Sequence, residues 1–459
     1  MKHQKQYSLH CGHILGLTAI LYIPIGIFAS KGLAPLFASA IVFCLLQQIY
    51  KNRKFPNISG PIFYALLILV GWSLVSCLWS ITPDETLKTG VTLSITFLGG
   101  SILFSIGKSF GQQEKKVLQN GLLFGGFLGF TLIAIEFTTD AWLARFLYLN
   151  LALLKNPDVP SYSTFIFSVY GDSTPVMNSG MAATALFFFP WALVLKERFP
   201  LKLFFPTIIV GAILIFFTYA DAVKLSFAVG LIILLAAFYK PRWIPKVLGL
   251  VITIGILTAP LIPGLFPNPL EPNKNLEWFS PSSAHRILIW KNTVSHIKQK
   301  VLLGSGLDAT RGLYSSKDRV QYNFPSSLSN KAAYQIMYEP IPLHPHNAIL
   351  QLWLELGAVG ALIGLGILLT ILRYIKHKIL LRLDQALSFG MFTTTLSLAC
   401  ISFGIWQGWW LSSILLSTTY FISILRTPVE KNSSEIGGPK GLDPTRYGDW
   451  ERKGRAIDF

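Results

Sequence analysis

The stretch His344-Pro-His346-Asn347-Ala-Ile-Leu-Gln-Leu-Trp-Leu-Glu355-Leu-Gly357-Ala-Val-Gly360 runs from a polar segment directly into a long apolar one. It sets two imidazoles at the mouth of a hydrophobic helix, where an ionisable group is costly unless it meets a ligand, a partner charge or an aqueous cavity. Neutral imidazole accepts a proton near neutral pH, and an adjacent cation keeps it neutral, so His346 or His344 suits the role of general base. The plainer alternative is a capping or hydrogen-bonding histidine at a helix start. Asn347 can orient the imidazole or a bound acceptor through its amide. Glu355, nine residues past His346, either pairs with a polar group on a neighbouring span or is protonated. Gly357, Gly360 and Gly364 form a small-residue face suited to close helix packing.

Two cations stand out in apolar surroundings. Arg286, in Arg-Ile-Leu-Ile-Trp290, offers a planar fork of donors suited to phosphate oxygens, or else touches lipid headgroups. Lys224 follows Asp221 by three residues at the end of an apolar run. It either faces a water-filled cavity or forms a local pair with Asp221 one helical turn away. His285, His296, His344 and His346 lack the spacing of a zinc site. No phosphate-cradling glycine loop ends in Lys-Ser/Thr, and no Asp-rich metal motif is present, so phosphate chemistry here leans on Arg and Lys. No metal and no cofactor are expected.

The elements that must hold these residues follow from composition. The chain has 459 residues, of which 52% are hydrophobic and 13% charged, with mean hydropathy +0.51, a balance that identifies an integral membrane protein. Apolar runs able to cross ~30 Å of hydrocarbon lie near 12–30, 32–50, 61–80, 87–107, 117–137, 176–195, 203–220, 222–239, 246–264, 347–372, 384–403 and 408–425. The fold class expected is therefore an all-α polytopic membrane protein of about 12 transmembrane helices. No small-residue cleavage pattern follows the first run, which reads as an uncleaved span.

The net charge of +17 is a topology signal and not a nucleic-acid footprint. Alternate loops carry Lys51/Arg53/Lys54, Lys108/Lys115/Lys116, Lys196/Arg198/Lys202, Lys240/Arg242/Lys246 and Arg373/Lys376/Lys378/Arg382, which makes both termini cytoplasmic. Two longer segments, 138–175 and 265–346, then share the opposite face. The organisation expected is nine spans over 1–264, a large outer loop over 265–346, three spans over 347–426 and a disordered cytoplasmic tail over 427–459. Within the large loop, Pro281-Ser-Ser283 caps a helix from about Ala284, whose Ile287, Trp290, Val294, Ile297 and Val301 recur at helical spacing. It would lie on the membrane surface or on the bundle. Gly304-Ser-Gly306 ends it, and residues 141–154 suggest a second interfacial helix. The four cysteines, Cys11, Cys44, Cys77 and Cys400, all fall in apolar runs and suit small buried residues.

Taken together these residues resemble a known family. His346-Asn347, nine residues, then Gly357-Ala-Val-Gly360 is similar to the histidine–glycine signature of the O-antigen ligase family. Arg286-Ile-Leu-Ile-Trp290 followed by Leu302-Leu-Gly304-Ser-Gly306-Leu resembles that family's arginine helix and its glycine-containing exit. The resemblance covers about residues 180–375. It implies a GT-C-like helical bundle with a large helical periplasmic loop in the bacterial inner membrane. It implies metal-independent transfer of a glycan from undecaprenyl diphosphate to a hydroxyl of the lipid A core, on the periplasmic face. By that resemblance His346 is the base on the acceptor hydroxyl and Arg286 binds the diphosphate, with His344 in support. Lys224 stands where the family has a further arginine, and Ile363, with Gly364 one step late, departs from the family's small or tyrosine residue. An O-antigen polymerase or a protein-glycosylating oligosaccharyltransferase would share the donor and differ in acceptor. Neither Arg145 nor Arg286 has the glycine eleven positions later that polymerases often carry. A lipid or solute transporter, the reading from another class, would show broken helices in pairs or a repeat, and neither is evident.

Overall fold

The computed structural model describes residues 10–150, 177–218, 220–267, 281–313, 320–323, 335–338, 341–426, 450–452 and 455–457. The helices that follow each coincide with a predicted apolar run: α1 Cys11–Phe28, α2 Leu33–Asn52, α3 Pro61–Val75, α4 Pro83–Lys108 and α5 Gln112–Thr138. After the short α6, Trp142–Asn150, the series continues with α7 Asn178–Arg198, α8 Leu201–Phe216, α9 Asp221–Tyr239 and α10 Ile244–Thr258. The loop helix α11, Pro281–Gln299, precedes α12 Ala348–Lys378, α13 Arg382–Ile401 and α14 Gly408–Ile424. Eight of these helices are long and apolar enough to cross a membrane. The helices α8 and α10 are apolar but shorter. This is a multi-pass, helical membrane protein.

Sequence chemistry sets the helix ends. Pro61 and Pro83 occupy first-turn positions of α3 and α4, where the missing N–H is no loss. Asn347 caps α12, its Oδ1 accepting the N–H groups of Ile349 and Leu350 at 3.0 Å each. The helix α7 is apolar on all sides and buried from Gly180 to Leu195, as expected of the bundle's centre. Its Phe187 stacks on Tyr22 and meets Tyr420 edge-on, and the Tyr22 hydroxyl donates to the Ser413 carbonyl at 3.0 Å.

Because the chain alternates direction, the loops fall at two ends. The end with His346 gathers the α3–α4 turn, the start of α9, α11 and the α13–α14 turn. The opposite end carries the basic loops, with Lys115 donating to the Leu425 carbonyl at 2.7 Å and Arg198 to Gln119 at 2.9 Å.

In the large loop, α11 starts at Pro281, three residues before the expected start. Ile287, Val294 and Ile297 are buried as the periodicity predicts, and so are Leu288 and Ile289. Val294 and Ile297 pack with Leu350, Leu354 and Ala259, so the helix lies on the bundle. Val301 falls beyond the helix and is exposed. Two strands, β1 Val320–Asn323 and β2 Gln335–Tyr338, pair antiparallel with Val320 opposite Tyr338. The interfacial helix expected over 141–154 corresponds to α6; the rest of that segment, 151–154, lies outside the described residues.

A second unit, Arg426–Phe459, separates from the first by its contacts. Where a disordered tail is expected, Trp450–Arg452 (β3) and Arg455–Ile457 (β4) pair antiparallel; residues 427–449, 453–454 and 458–459 lie outside the described residues.

Candidate active site

Gly357, expected to share a packing face with Gly360 and Gly364, has another part. Gly357 has φ 67° and ψ −165° and breaks the helix. A break exposes backbone groups that hydrocarbon cannot satisfy. Here the segment leaving α11, the loop exit, satisfies them together with Trp72. Ser305 N–H donates to Leu354 O at 3.0 Å and Gly306 N–H to Glu355 O at 2.8 Å, while Trp72 Nε1 reaches Leu356 O at 3.1 Å. In return Ala358 N–H donates to Val301 O at 2.8 Å and Val359 N–H to Leu302 O at 3.4 Å. The exit is also tied to the α3–α4 turn, through Ile81 N–H to Ser305 O at 3.1 Å and Thr86 Oγ1 to Leu307 O at 2.7 Å.

Glu355 sits immediately before the break, fully buried. Four donors converge on its carboxylate. Asp308 N–H lies at 2.8 Å and Trp406 Nε1 at 2.6 Å from Oε2, Gln351 Nε2 at 3.0 Å from Oε1, and the Thr310 hydroxyl also contacts Oε1. Glu355 thus has polar partners on a loop and a turn as well as on its own helix.

Above the break, the α13–α14 turn supports the histidines. His346 Nδ1 lies 2.6 Å from the Ser402 carbonyl. A carbonyl only accepts, so Nδ1 carries the proton and Nε2 keeps a free lone pair. The His346 backbone has φ 53°, a left-handed conformation uncommon for a side chain of this size. His344 lies beside it, ring centroids 4.3 Å apart, and Gly404 packs against the His344 ring. From the other side Trp290 Nε1 donates to Pro345 O at 2.9 Å. The His344–His346 segment is thus held between α11 and the α13–α14 turn. Asn347 is the helix cap, its carboxamide oxygen bonded to the helix N–H groups, so it does not orient the imidazole through that oxygen.

Charge around the histidines favours the neutral base. Burial lowers the His346 pKa below the usual 6.5, the Ser402 carbonyl opposes that, and the Arg286 cation lowers it further. His344 is lowered to about 4 by burial, then by His346 and Arg311. Arg286 is half-buried, and burial lowers its pKa while Asp221 raises it. Lys224 pairs with Asp221 at 3.1 Å, which is the local pair weighed from the sequence. The structure therefore brings His344, His346, Arg286, Asp221 and Lys224 to one end of the bundle, and sets Glu355 beneath them.

Sequence reasoning misses Arg311, which is half-exposed and held by Asp308 at 3.0 Å, while Thr89 donates to the same Asp308 at 2.9 Å. It also misses Ser402, Gly404 and Trp406. Their signal is positional: a short glycine-containing turn between two apolar runs, on the same face as His346 by the parity of the spans. Among the described residues, no group of three or more His, Cys, Asp or Glu side chains is arranged to hold a metal ion.

Residues 206–365 match the sequence model of the O-antigen ligase family. A protein of Rickettsia bellii named "Putative polysaccharide ligase" is 28% identical over 376 residues, 80% of this chain and 80% of that protein. A relative of the same description in Rickettsia conorii is 26% identical over 359 residues, 76% of each. Residues 425–459 match a different family, described as a protein of unknown function. There a "UPF0369 protein" of Rickettsia felis is 43% identical over 54 residues, 10% of this chain and 69% of that protein.

Proposed function

We propose that this protein, which belongs to the O-antigen ligase family, transfers a glycan from undecaprenyl diphosphate to a hydroxyl of the lipid A core. The reaction takes place at the His346 end of the bundle, on the periplasmic face of the bacterial inner membrane. The concentration of basic loops at the opposite end supports that orientation, with both termini cytoplasmic. Without a metal in the mechanism, the leaving diphosphate is met by side-chain cations.

The observation that carries this reading is the contact between His346 Nδ1 and the Ser402 carbonyl. It fixes the tautomer and turns Nε2 into the acceptor atom, in a setting where burial and Arg286 keep the ring neutral. Nε2 takes the proton of the acceptor hydroxyl as its oxygen attacks the anomeric carbon. The bond from that carbon to the diphosphate breaks, and the diphosphate leaves with the electron pair. Arg286 meets the charge that develops on it, with Lys224 as a second, weaker point charge. A single displacement of this kind inverts the anomeric centre. The lipid tail of the donor enters between the spans, and the headgroup lies under α11.

The test is a gel of lipopolysaccharide from a deletion strain complemented with wild-type, His346→Ala or Arg286→Ala protein at equal levels. Both variants should leave the lipid A core uncapped while polymerised, carrier-linked glycan persists. Normal capping by either variant removes that residue from the mechanism. Loss of the carrier-linked polymer itself would instead identify a polymerase.

A further inference from the structure

The base needs a fixed partner, and the partner is a carbonyl on a turn. Ser402 is the C-cap of α13, its N–H bonded to Leu398 O at 3.0 Å, and the residues from it to Gln407 form the turn into α14. Two contacts fasten that segment to α12. Ile405 N–H donates to Gln351 Oε1 at 3.0 Å, and Trp406 Nε1 donates to Glu355 Oε2 at 2.6 Å. The first contact depends on the second residue as well. Gln351 Nε2 donates to Glu355 Oε1 at 3.0 Å, which turns the amide so that its oxygen faces Ile405. The other lone pairs of Glu355 hold the loop exit at Asp308 and Thr310.

We infer that Glu355 is a positioning residue for the transfer reaction, fastening the Ser402–Gln407 turn to the His346 helix so that the Ser402 carbonyl holds the imidazole with Nε2 toward the acceptor. This rests on His346 being the base. All of the contacts on Glu355 can be made as donors to an acceptor-only carboxylate. A glutamine would set its own N–H2 against two of them in either orientation, Trp406 Nε1 and Asp308 N–H or Gln351 Nε2 and the Thr310 hydroxyl, of which only the hydroxyl can turn to accept, so the hold on the turn is weakened either way. Arg311 belongs to the same assembly, since its anchor Asp308 is held by Glu355 through the backbone N–H.

The inference predicts a loss that falls on turnover and not on donor binding, because Arg286 and Lys224 are on other helices. It also predicts a change at His346 itself. The Ser402 carbonyl raises the His346 pKa, against burial and Arg286, which lower it. Of the other groups facing the ring, Arg286 is on α11, away from the substituted residues, whereas His344 packs against Gly404 of the same turn and is acted on by Arg311. Loosening the turn removes the raising influence of the Ser402 carbonyl and part of the burial that lowers the pKa, so the acidic limb of the activity profile is displaced from its wild-type position.

The experiment uses purified full-length protein in lipid nanodiscs, with an undecaprenyl-diphosphate-linked oligosaccharide as donor and lipopolysaccharide lacking long glycan as acceptor. Trp406→Phe keeps the ring packing and deletes one contact, and Glu355→Gln keeps the volume. Expected for Trp406→Phe is a kcat lower by on the order of tenfold, a donor KM within about twofold, and an acidic limb displaced from that of wild type; Glu355→Gln should lose on the order of a hundredfold. If both variants match wild type per folded protein, or lose activity through KM with the limb unmoved, the positioning role is overturned while an inactive His346→Ala still supports the base. An active His346→Ala overturns both.

Discussion

Gly304 and Gly357 meet backbone to backbone: a methyl group on Gly357 would lie 2.7 Å from Gly304 N, and one on Gly304 would lie 2.6 Å from Gly357 N. Both have positive φ, 70° and 67°. The contact lets the loop exit enter the break in α12 and bond to it on both sides. A side chain at Gly357 therefore faces two penalties, a left-handed backbone and a clash with Leu302 O at 2.2 Å.

Gly357→Ala should accordingly destabilise the protein by on the order of 2–5 kcal/mol, read as a lower thermal unfolding temperature in detergent. Gly366→Ala is the control, since that glycine is in the same helix with nothing within 4 Å. It should be neutral or stabilising by up to ~1 kcal/mol. Equal unfolding temperatures for the two variants would mean that the loop exit does not depend on the break.

The break also marks where sequence reading stops. The helices are legible because an apolar run of spanning length has few other outcomes, and basic residues in alternate loops fix the parity. His346, Arg286 and Lys224 are legible because charged groups in apolar surroundings are rare. Gly357 is not, because a glycine at helical spacing has the same signature whether it packs a helix or breaks it. Nor are Ser402 and Arg311. Ser402 acts through its carbonyl, which carries no residue-type signal, and Arg311 is one arginine among several in a long polar segment until Asp308 and His344 are placed around it.

The electrostatics of His346 set a pH dependence. Burial and Arg286 keep its pKa below 6.5 despite the Ser402 carbonyl. The active, neutral form therefore persists as pH falls past 6.5, and activity is lost only through the lowered value. At saturating donor, the acidic limb of kcat should lie below pH 6.5. Arg286→Gln removes one lowering influence and should move the limb upward, toward 6.5. For His344, lowered to about 4, the sign for stability is the same: its contribution is complete above 6.5 and declines as pH falls from 6.5 toward about 4. His344→Gln should flatten that part of a plot of unfolding temperature against pH. A limb at or above 6.5 in wild type would show an imidazole that is not shielded from protonation.

The C-terminal unit is expected to be separable from transfer. Residues 425–459 match a family other than the one matched by 206–365, and the unit beginning at Arg426 is distinct by its contacts. A chain ending at Arg426 should retain transfer activity within about twofold at equal membrane levels. Loss of activity by that truncation would give the unit a part in the reaction.

Asp221 competes for the cations assigned to the diphosphate. It pairs with Lys224 and acts on Arg286, and it is itself almost fully exposed. Exposed pairs of this kind are weak, so an incoming diphosphate displaces the carboxylate readily. Lys224→Arg keeps the charge and should retain activity. Lys224→Ala should raise the donor KM by on the order of tenfold with kcat much less affected, the pattern of a contact made equally in the ground and transition states. Asp221→Asn removes the competitor while leaving both cations charged, and should lower the donor KM by about two- to fivefold. A Lys224→Ala variant with wild-type KM would reduce Lys224 to the partner of Asp221 alone. A raised KM in Asp221→Asn would mean that the carboxylate holds the cations in place for the donor and does not compete with it.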